Sequence, residues 1–257
     1  MATGKFFTFR KASDWKRGVA FHLSGDGAGG LTIPRQTVYR LTRRHRFEHP
    51  QLDAPITDTA VDFDGRWYLI DERGVIWRAD LPGGHAEAVR SEAQEATGRV
   101  RIAAGRKSIV ALNAGPGSAI HWMTTDRGQI RWTVTDWQGG PFHGVALAAG
   151  PDDELVVLAG IGESGSLALL RFDAAGEPQR AIGVPPAGEG HELAPEEDRF
   201  ELAVAADGTG WLLDRKARRL AFFEPGSDSA SWLPVPEEGF AGDIAAICPG
   251  GPDSVWA

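Results

Sequence analysis

Residues Ala60 to Leu81 read AVDFDGRWYLIDERGVIWRADL. An apolar, β-prone run, Trp67-Tyr68-Leu69-Ile70, gives way to turn chemistry at Asp71-Glu72-Arg73-Gly74, and Val75-Ile76-Trp77 begins a second apolar run. Two short strands around a turn are expected. The same pattern returns in altered form. Ala103 opens AAGRKSIVALN, Ala146 opens ALAAGPDDELVVLA, Ala203 opens AVAADGTGWLLD and Ala245 opens AAICPGGPDSVWA. These openings are 43, 43, 57 and 42 residues apart. A period near 43 built of short strands is the pattern of β-propeller blades. The long interval holds a Pro/Gly/Glu-rich insert, Pro185 to Arg199, reading PPAGEGHELAPEEDR.

Each copy continues into a third and a fourth strand. The third strands are expected at Val75 to Leu81, Ala119 to Thr125, Leu167 to Asp173 and Leu220 to Pro225, and the fourth end on Val89, Val134, Val184 and Val235. Asp126-Arg127-Gly128-Gln129 and Asp173-Ala174-Ala175-Gly176 supply the glycines that tight hairpins require. The fold class expected is therefore all-β: a propeller of four-stranded blades over residues 56–257, four complete and a fifth partial, behind an N-terminal basic extended arm with initial strands over residues 1–55. The Ala-rich first strands suit a crowded axis. The apolar second strands should be buried between blades, with Trp67 and Trp211 packed there. The fifth copy stops at Trp256-Ala257, inside its second strand. Either the chain continues beyond this point, which is the preferred expectation, or residues 18–41 supply the missing strands.

Composition agrees. A chain of 257 residues buries roughly 70–75% of its unfolded surface without staples. The single cysteine, Cys248, excludes an intramolecular disulfide and reads as a small core residue. The opening MATGKFFTFRKASDWKRG has no uninterrupted apolar segment and is not a secretory signal, and no apolar run is long enough for a membrane-spanning helix. The charge is uneven. Residues 1–50 carry ten Lys/Arg and three Asp/Glu, a balance of +7, while the remainder carries −15. A basic leader on an acidic body speaks to association rather than fold. It can dock on its own body or on an acidic partner protein.

The leader also carries a resemblance. Phe6-Phe7-Thr8-Phe9, then Asp14-Trp15-Lys16-Arg17-Gly18, then Gly29-Gly30-Leu31-Thr32-Ile33 resembles the start of β-propeller-bearing, phage-tail-like proteins of contractile injection systems, in which NHL-like repeats follow such a leader. The resemblance covers about the first 40 residues in detail and the rest as architecture. It implies a non-catalytic structural or interaction part of a tail or baseplate, partnered by other protein subunits. Its setting would be a cytoplasmic assembly, or one released as part of an extracellular particle. Two alternatives stand beside it: an NHL-type propeller that binds a small ligand or catalyses a reaction at its axial mouth, and a free-standing protein-interaction propeller. The partner-binding candidates are Phe6, Phe7, Phe9 and Trp15 of the leader, and Arg40, Arg43, Arg44 and Arg46 of the connector.

No catalytic, cofactor or metal site is expected. Gly25-x-Gly27-x-x-Gly30 matches a dinucleotide fingerprint, but strand-like LTIPRQTV follows where a helix is required, so it reads as a hairpin turn. Asp62-x-Asp64-Gly65 resembles the opening of a calcium loop but has Arg73 where the closing Glu belongs, so it too reads as a turn. His45 and His49 are four apart in a non-helical segment and form no metal pair; a metal site assembled from several blades stays open. Arg40, Arg43, Arg44 and Arg46 beside Tyr39 and Phe47 could meet phosphates and bases. The acidic body opposes that, so nucleic acid is not the expected partner.

Overall fold

The computed structural model describes residues 54–233 apart from 55, 63, 65, 80–85, 91–99, 151, 163–164, 187–193, 197–198 and 206; beyond that range it describes Ile247 and the backbone pairing of short strands at both ends. Every described element is a strand. Blade 1 is Ile56–Val61, Trp67–Asp71, Ile76–Ala79 and Ala86–Arg90. Blade 2 is Val100–Ala104, Ser108–Asn113, Ala119–Thr124 and Ile130–Val134. Blade 3 is Gly140–Ala149, Leu155–Ile161, Ser166–Phe172 and Pro178–Gly183, with Asp136–Trp137 added at its leading edge. Blade 4 is Phe200–Val204, Gly210–Asp214, Arg219–Phe223 and Ser231–Leu233. Each blade is an antiparallel meander in sequence order. This is the β-propeller that the 43-residue period predicts.

The first strand of each blade lies against the first strand of the next, so the four form consecutive sectors around an axis. The connections that end each third and first strand share one end of that axis, and those that end the second and fourth share the other, because neighbouring strands run antiparallel. Small residues recur where first strands approach: Ala60, Ala103, Ala146 and Ala203 are all buried. The second strands of blades 1 and 4, WYLID and GWLLD, are buried at every position. A strand with blades against both faces reads as a continuous apolar run rather than an alternation. Trp67 and Trp211 are fully buried, as their place in the repeat requires.

Two further groups of strands flank the four blades. Ser24–Gly25, Leu31–Ile33, Tyr39–Leu41 and Arg46–Glu48 pair in sequence order as a sheet. The antiparallel pairing of Ser24 with Thr32 places the glycine-rich GDGAGG segment between two hairpin strands, away from any dinucleotide-binding turn. The fifth copy contributes Cys248–Gly251 and Ser254–Trp256, and the strand beside it is Thr8–Arg10 of the leader, paired in parallel. The strand joining the fifth copy thus comes from the leader, ahead of residues 18–41, whose strands belong to their own sheet.

Blades 2, 3 and 4 are tied together by polar clamps as well as apolar packing. Asp153, in the left-handed region at φ 59°, accepts hydrogen bonds from Lys107 N (2.8 Å) and Ser108 Oγ (2.9 Å) of blade 2. The Arg171 guanidinium donates to Glu154 (2.5 Å) within blade 3 and to the Pro225 carbonyl (2.8 Å) of blade 4. Gly144 is needed for close approach, since a Cβ there would lie 2.8 Å from Leu112 Cδ1.

Candidate functional site at the ring axis

Two residues before the repeat alanines, the chain places Asp58, Arg101, Gly144 and Glu201. All four lie on first strands, the strands that line the axis. Three of them carry charge in otherwise apolar strands, and each of the three is at most 3% exposed. Asp58 joins adjacent blades: one carboxylate oxygen accepts from Thr59 N (2.9 Å) and the other from Ile102 N (2.9 Å) of blade 2.

Arg101 and Glu201 join blades that are not adjacent. The Arg101 guanidinium lies 3.6 Å from the Glu201 carboxylate, so the ion pair crosses from blade 2 to blade 4. Blade 3 has Gly144 at the corresponding place in its copy. Glu201 also takes a short hydrogen bond from Arg215, which follows the second strand of blade 4 and is partly exposed. One carboxylate thus holds two guanidiniums, one crossing the ring and one at its rim.

Behind this pair stands a second one. Asp214 is fully buried and accepts from Arg199 Nε (3.0 Å), Arg199 Nη2 (2.7 Å) and the backbone N–H groups of Lys216 and Ala217 (both 3.0 Å). The bonds to Asp214 hold the Arg199 guanidinium above its ordinary basicity despite burial. Its planar head also stacks 5.0 Å above the Phe200 ring. Asp71 holds the equivalent place in blade 1. Burial acts to raise its carboxyl, but hydrogen bonds from Arg73, Val75 N and Trp77 outweigh it and hold the group below its ordinary value. These aspartates cap turns, as the sequence reading of Asp71-Glu72-Arg73-Gly74 expects.

The same reading holds for Asp62. Its carboxylate accepts from Asp64 N (2.9 Å) and Arg66 N (2.8 Å), which is a closed turn between first and second strands. Burial raises its carboxyl above the usual range against those bonds. Tyr68 reaches toward it at 3.5 Å, and burial together with the Asp62 charge pushes the phenol up to about 12. Among the described residues no three His, Cys, Asp or Glu side chains group as metal ligands.

Phe6, Phe7, Trp15, Arg43 and Arg44 lie outside the described residues. Phe9 pairs with Val255, Arg40 with Thr32 and Phe47, and Arg46 with Leu41, all by backbone register. Sequence reasoning missed Arg101, Glu201 and Arg215. The available signal was the charge two positions before the repeat alanine, visible only when the copies are aligned on one another.

Four antiparallel blades set side by side about an axis, with the Arg101–Glu201 pair between blades 2 and 4, define a β-propeller protein. Among solved structures, the chain is similar to virginiamycin B lyase from Staphylococcus aureus, with 16% identity over 89% of this chain and 72% of that one at a TM-score of 0.59. It is similar also to a catalytically inactive form of that lyase with Quinupristin, with 16% identity over 92% and 76% of the two chains and a TM-score of 0.61. A third similar structure is U3-55K, at 11% identity over 90% and 86% and a TM-score of 0.53. At such identities the likeness is one of fold. No family model matches the chain, and no curated relative matches it.

Proposed function

We propose that this chain is a non-catalytic interaction propeller, a structural subunit of a larger protein assembly of the phage-tail-like contractile kind that its leader resembles. The observation that carries the reading is the axial ion pair. The mouth of a propeller is where a small ligand would enter, and here Arg101 and Glu201, each at most 3% exposed, already face one another. Taking that place would require a ligand to replace a charge pair already desolvated. Binding is therefore assigned to the outer surface and the leader. The leader supplies aromatic anchors (Phe6, Phe7, Phe9, Trp15) and a positive excess, the chemistry of an attachment arm for acidic protein. The connector arginines, Arg40, Arg43, Arg44 and Arg46, extend that arm, in a cytoplasmic assembly or a particle released from the cell.

A second reading, a small-ligand propeller, is favoured by one feature: Arg215 is 22% exposed at the rim of the axial pair and could present a guanidinium to an anion. Sedimentation of the native protein from its source separates the two. The assembly reading expects co-sedimentation with a large particle, weakened more by Phe7→Ala or Trp15→Ala than by Lys5→Ala, with only the lysine effect fading at high salt. A discrete monomer in every fraction overturns it.

A further inference from the structure

The leader that carries the attachment anchors also gives a strand to the body. Beyond the four blades the succession of first strands continues. Phe200–Val204 lies against Cys248–Gly251, Cys248–Gly251 against Ser24–Gly25, and Ser24–Gly25 against Ile56–Val61. Six sheets thus follow one another about the axis, and the last meets the first. That last sheet is built from two distant parts of the chain. Its order is Cys248–Gly251, Ser254–Trp256, Thr8–Arg10, so the leader strand holds the third place, which the four blades fill from their own copies.

The pairing differs from those within the blades. Thr8 stands opposite Ser254, Phe9 opposite Val255 and Arg10 opposite Trp256, in parallel, whereas second and third strands within the blades run antiparallel. Parallel pairs are slightly weaker per residue, and three residues make few hydrogen bonds. The leader strand is also the outermost of its sheet among the described residues. It can therefore leave while the Cys248–Gly251 and Ser254–Trp256 pairing stays in place, an opening of the low-cost, local kind.

We propose that the leader is a clasp that withholds its own attachment anchors: paired in the last sheet it closes the ring, and released from it the same residues attach to the assembly. Phe9 lies inside the clasp strand, and Phe6 and Phe7 directly precede it. Anchors act by entering a partner's pockets, so residues 6–10 must come away from Ser254–Trp256 to serve as the attachment arm proposed above, on which this regulation rests. The closed clasp lowers the apparent affinity for the partner in proportion to the fraction of chains in which it is open. A partner that grips the leader draws chains toward the open form by the same linkage.

A reversible lock on the full chain tests this. Thr8→Cys/Ser254→Cys joins two residues that stand opposite one another and are not attachment candidates, and Cys248→Ser removes the chain's own thiol. Oxidised with glutathione disulfide, the folded chain should hold an intramolecular bridge and lose co-sedimentation with the particle by about tenfold or more. Tryptic cleavage after Arg10, which requires an open clasp, should slow by about tenfold or more, and dithiothreitol should restore both. Amide exchange in the unmodified chain is the second measurement: residues 8–10 should exchange about tenfold or more slowly than in a peptide of residues 1–14. An oxidised chain that co-sediments as well as the reduced one overturns the proposal. So does cleavage indifferent to oxidation, or exchange at residues 8–10 equal to that of the peptide. If parent and reduced chain alike fail to co-sediment, the attachment reading falls, while slowed cleavage of the oxidised chain still upholds the clasp.

Discussion

Replacing Glu201 with leucine should be among the most damaging single changes available to the ring. The carboxylate is 2% exposed and faces Arg101, itself 3% exposed, across 3.6 Å. At an effective dielectric constant of about 20, that separation corresponds to about 4–5 kcal/mol of attraction, offset in part by the desolvation of both groups. Glu201→Leu takes away a buried carboxylate that two guanidiniums share, Arg101 and Arg215, for which a loss of about 3–5 kcal/mol is expected. Arg101→Met is milder, about 1–3 kcal/mol, because Glu201 keeps its bond to Arg215 and Arg215 reaches solvent. The double variant Arg101→Met/Glu201→Leu should be more stable than Glu201→Leu alone, since the buried guanidinium that faced the lost carboxylate is then gone as well. Urea unfolding followed by tryptophan fluorescence measures all three, with the midpoint and slope read separately. Under 1 kcal/mol lost in Glu201→Leu, together with strict additivity in the cycle, would refute a desolvated cross-ring pair.

Three smaller predictions rest on neighbouring parts of the structure. Trp211 is fully buried among Ala203, Leu213, Leu220 and Ile247, so Trp211→Ala should cost roughly 3–5 kcal/mol in the same assay, and a loss below about 1 kcal/mol would contradict the packing. The Tyr68 phenol ionises near 10 when unfolded and at about 12 when folded, so its stabilising contribution is complete below pH 10 and is lost as pH rises through 12. Tyr68→Phe should remove that part of the alkaline slope, and phenolate absorbance, from two tyrosines in the parent and one in the variant, identifies the late titration. Gly144→Ala should destabilise, because its Cβ would press Leu112 to 2.8 Å where blades 2 and 3 meet; an unchanged melting temperature would show that Leu112 yields freely.

Much of the fold was legible because a propeller writes the same constraints into each copy. The second strand must be apolar on both faces, the first must be small, and the turns need glycine or a capping aspartate. Trp67 and Trp211, Asp71 and the repeat alanines therefore announced their places. The partner of the fifth copy was not legible. Thr8–Arg10 is three residues long, and a parallel partner distant in sequence leaves no periodic mark. The axial pair was hidden for a different reason. Arg101 and Glu201 lie one hundred residues apart, and each alone is only a charge interrupting a strand. Their relation is set by the curvature of the blade array, which brings the first strands of blades 2 and 4 within reach of one another past blade 3.

A propeller backbone makes its sectors equivalent, and a partner reading only backbone could not tell one blade from another. Here the sectors are distinguished by side chains. The position two residues before the repeat alanine is Asp in blade 1, Arg in blade 2, Gly in blade 3 and Glu in blade 4, so the opposite charges of blades 2 and 4 meet only if the blades keep this order around the ring. Because the pair links blades 2 and 4 past blade 3, side chains mark each sector of the ring although its backbone repeats.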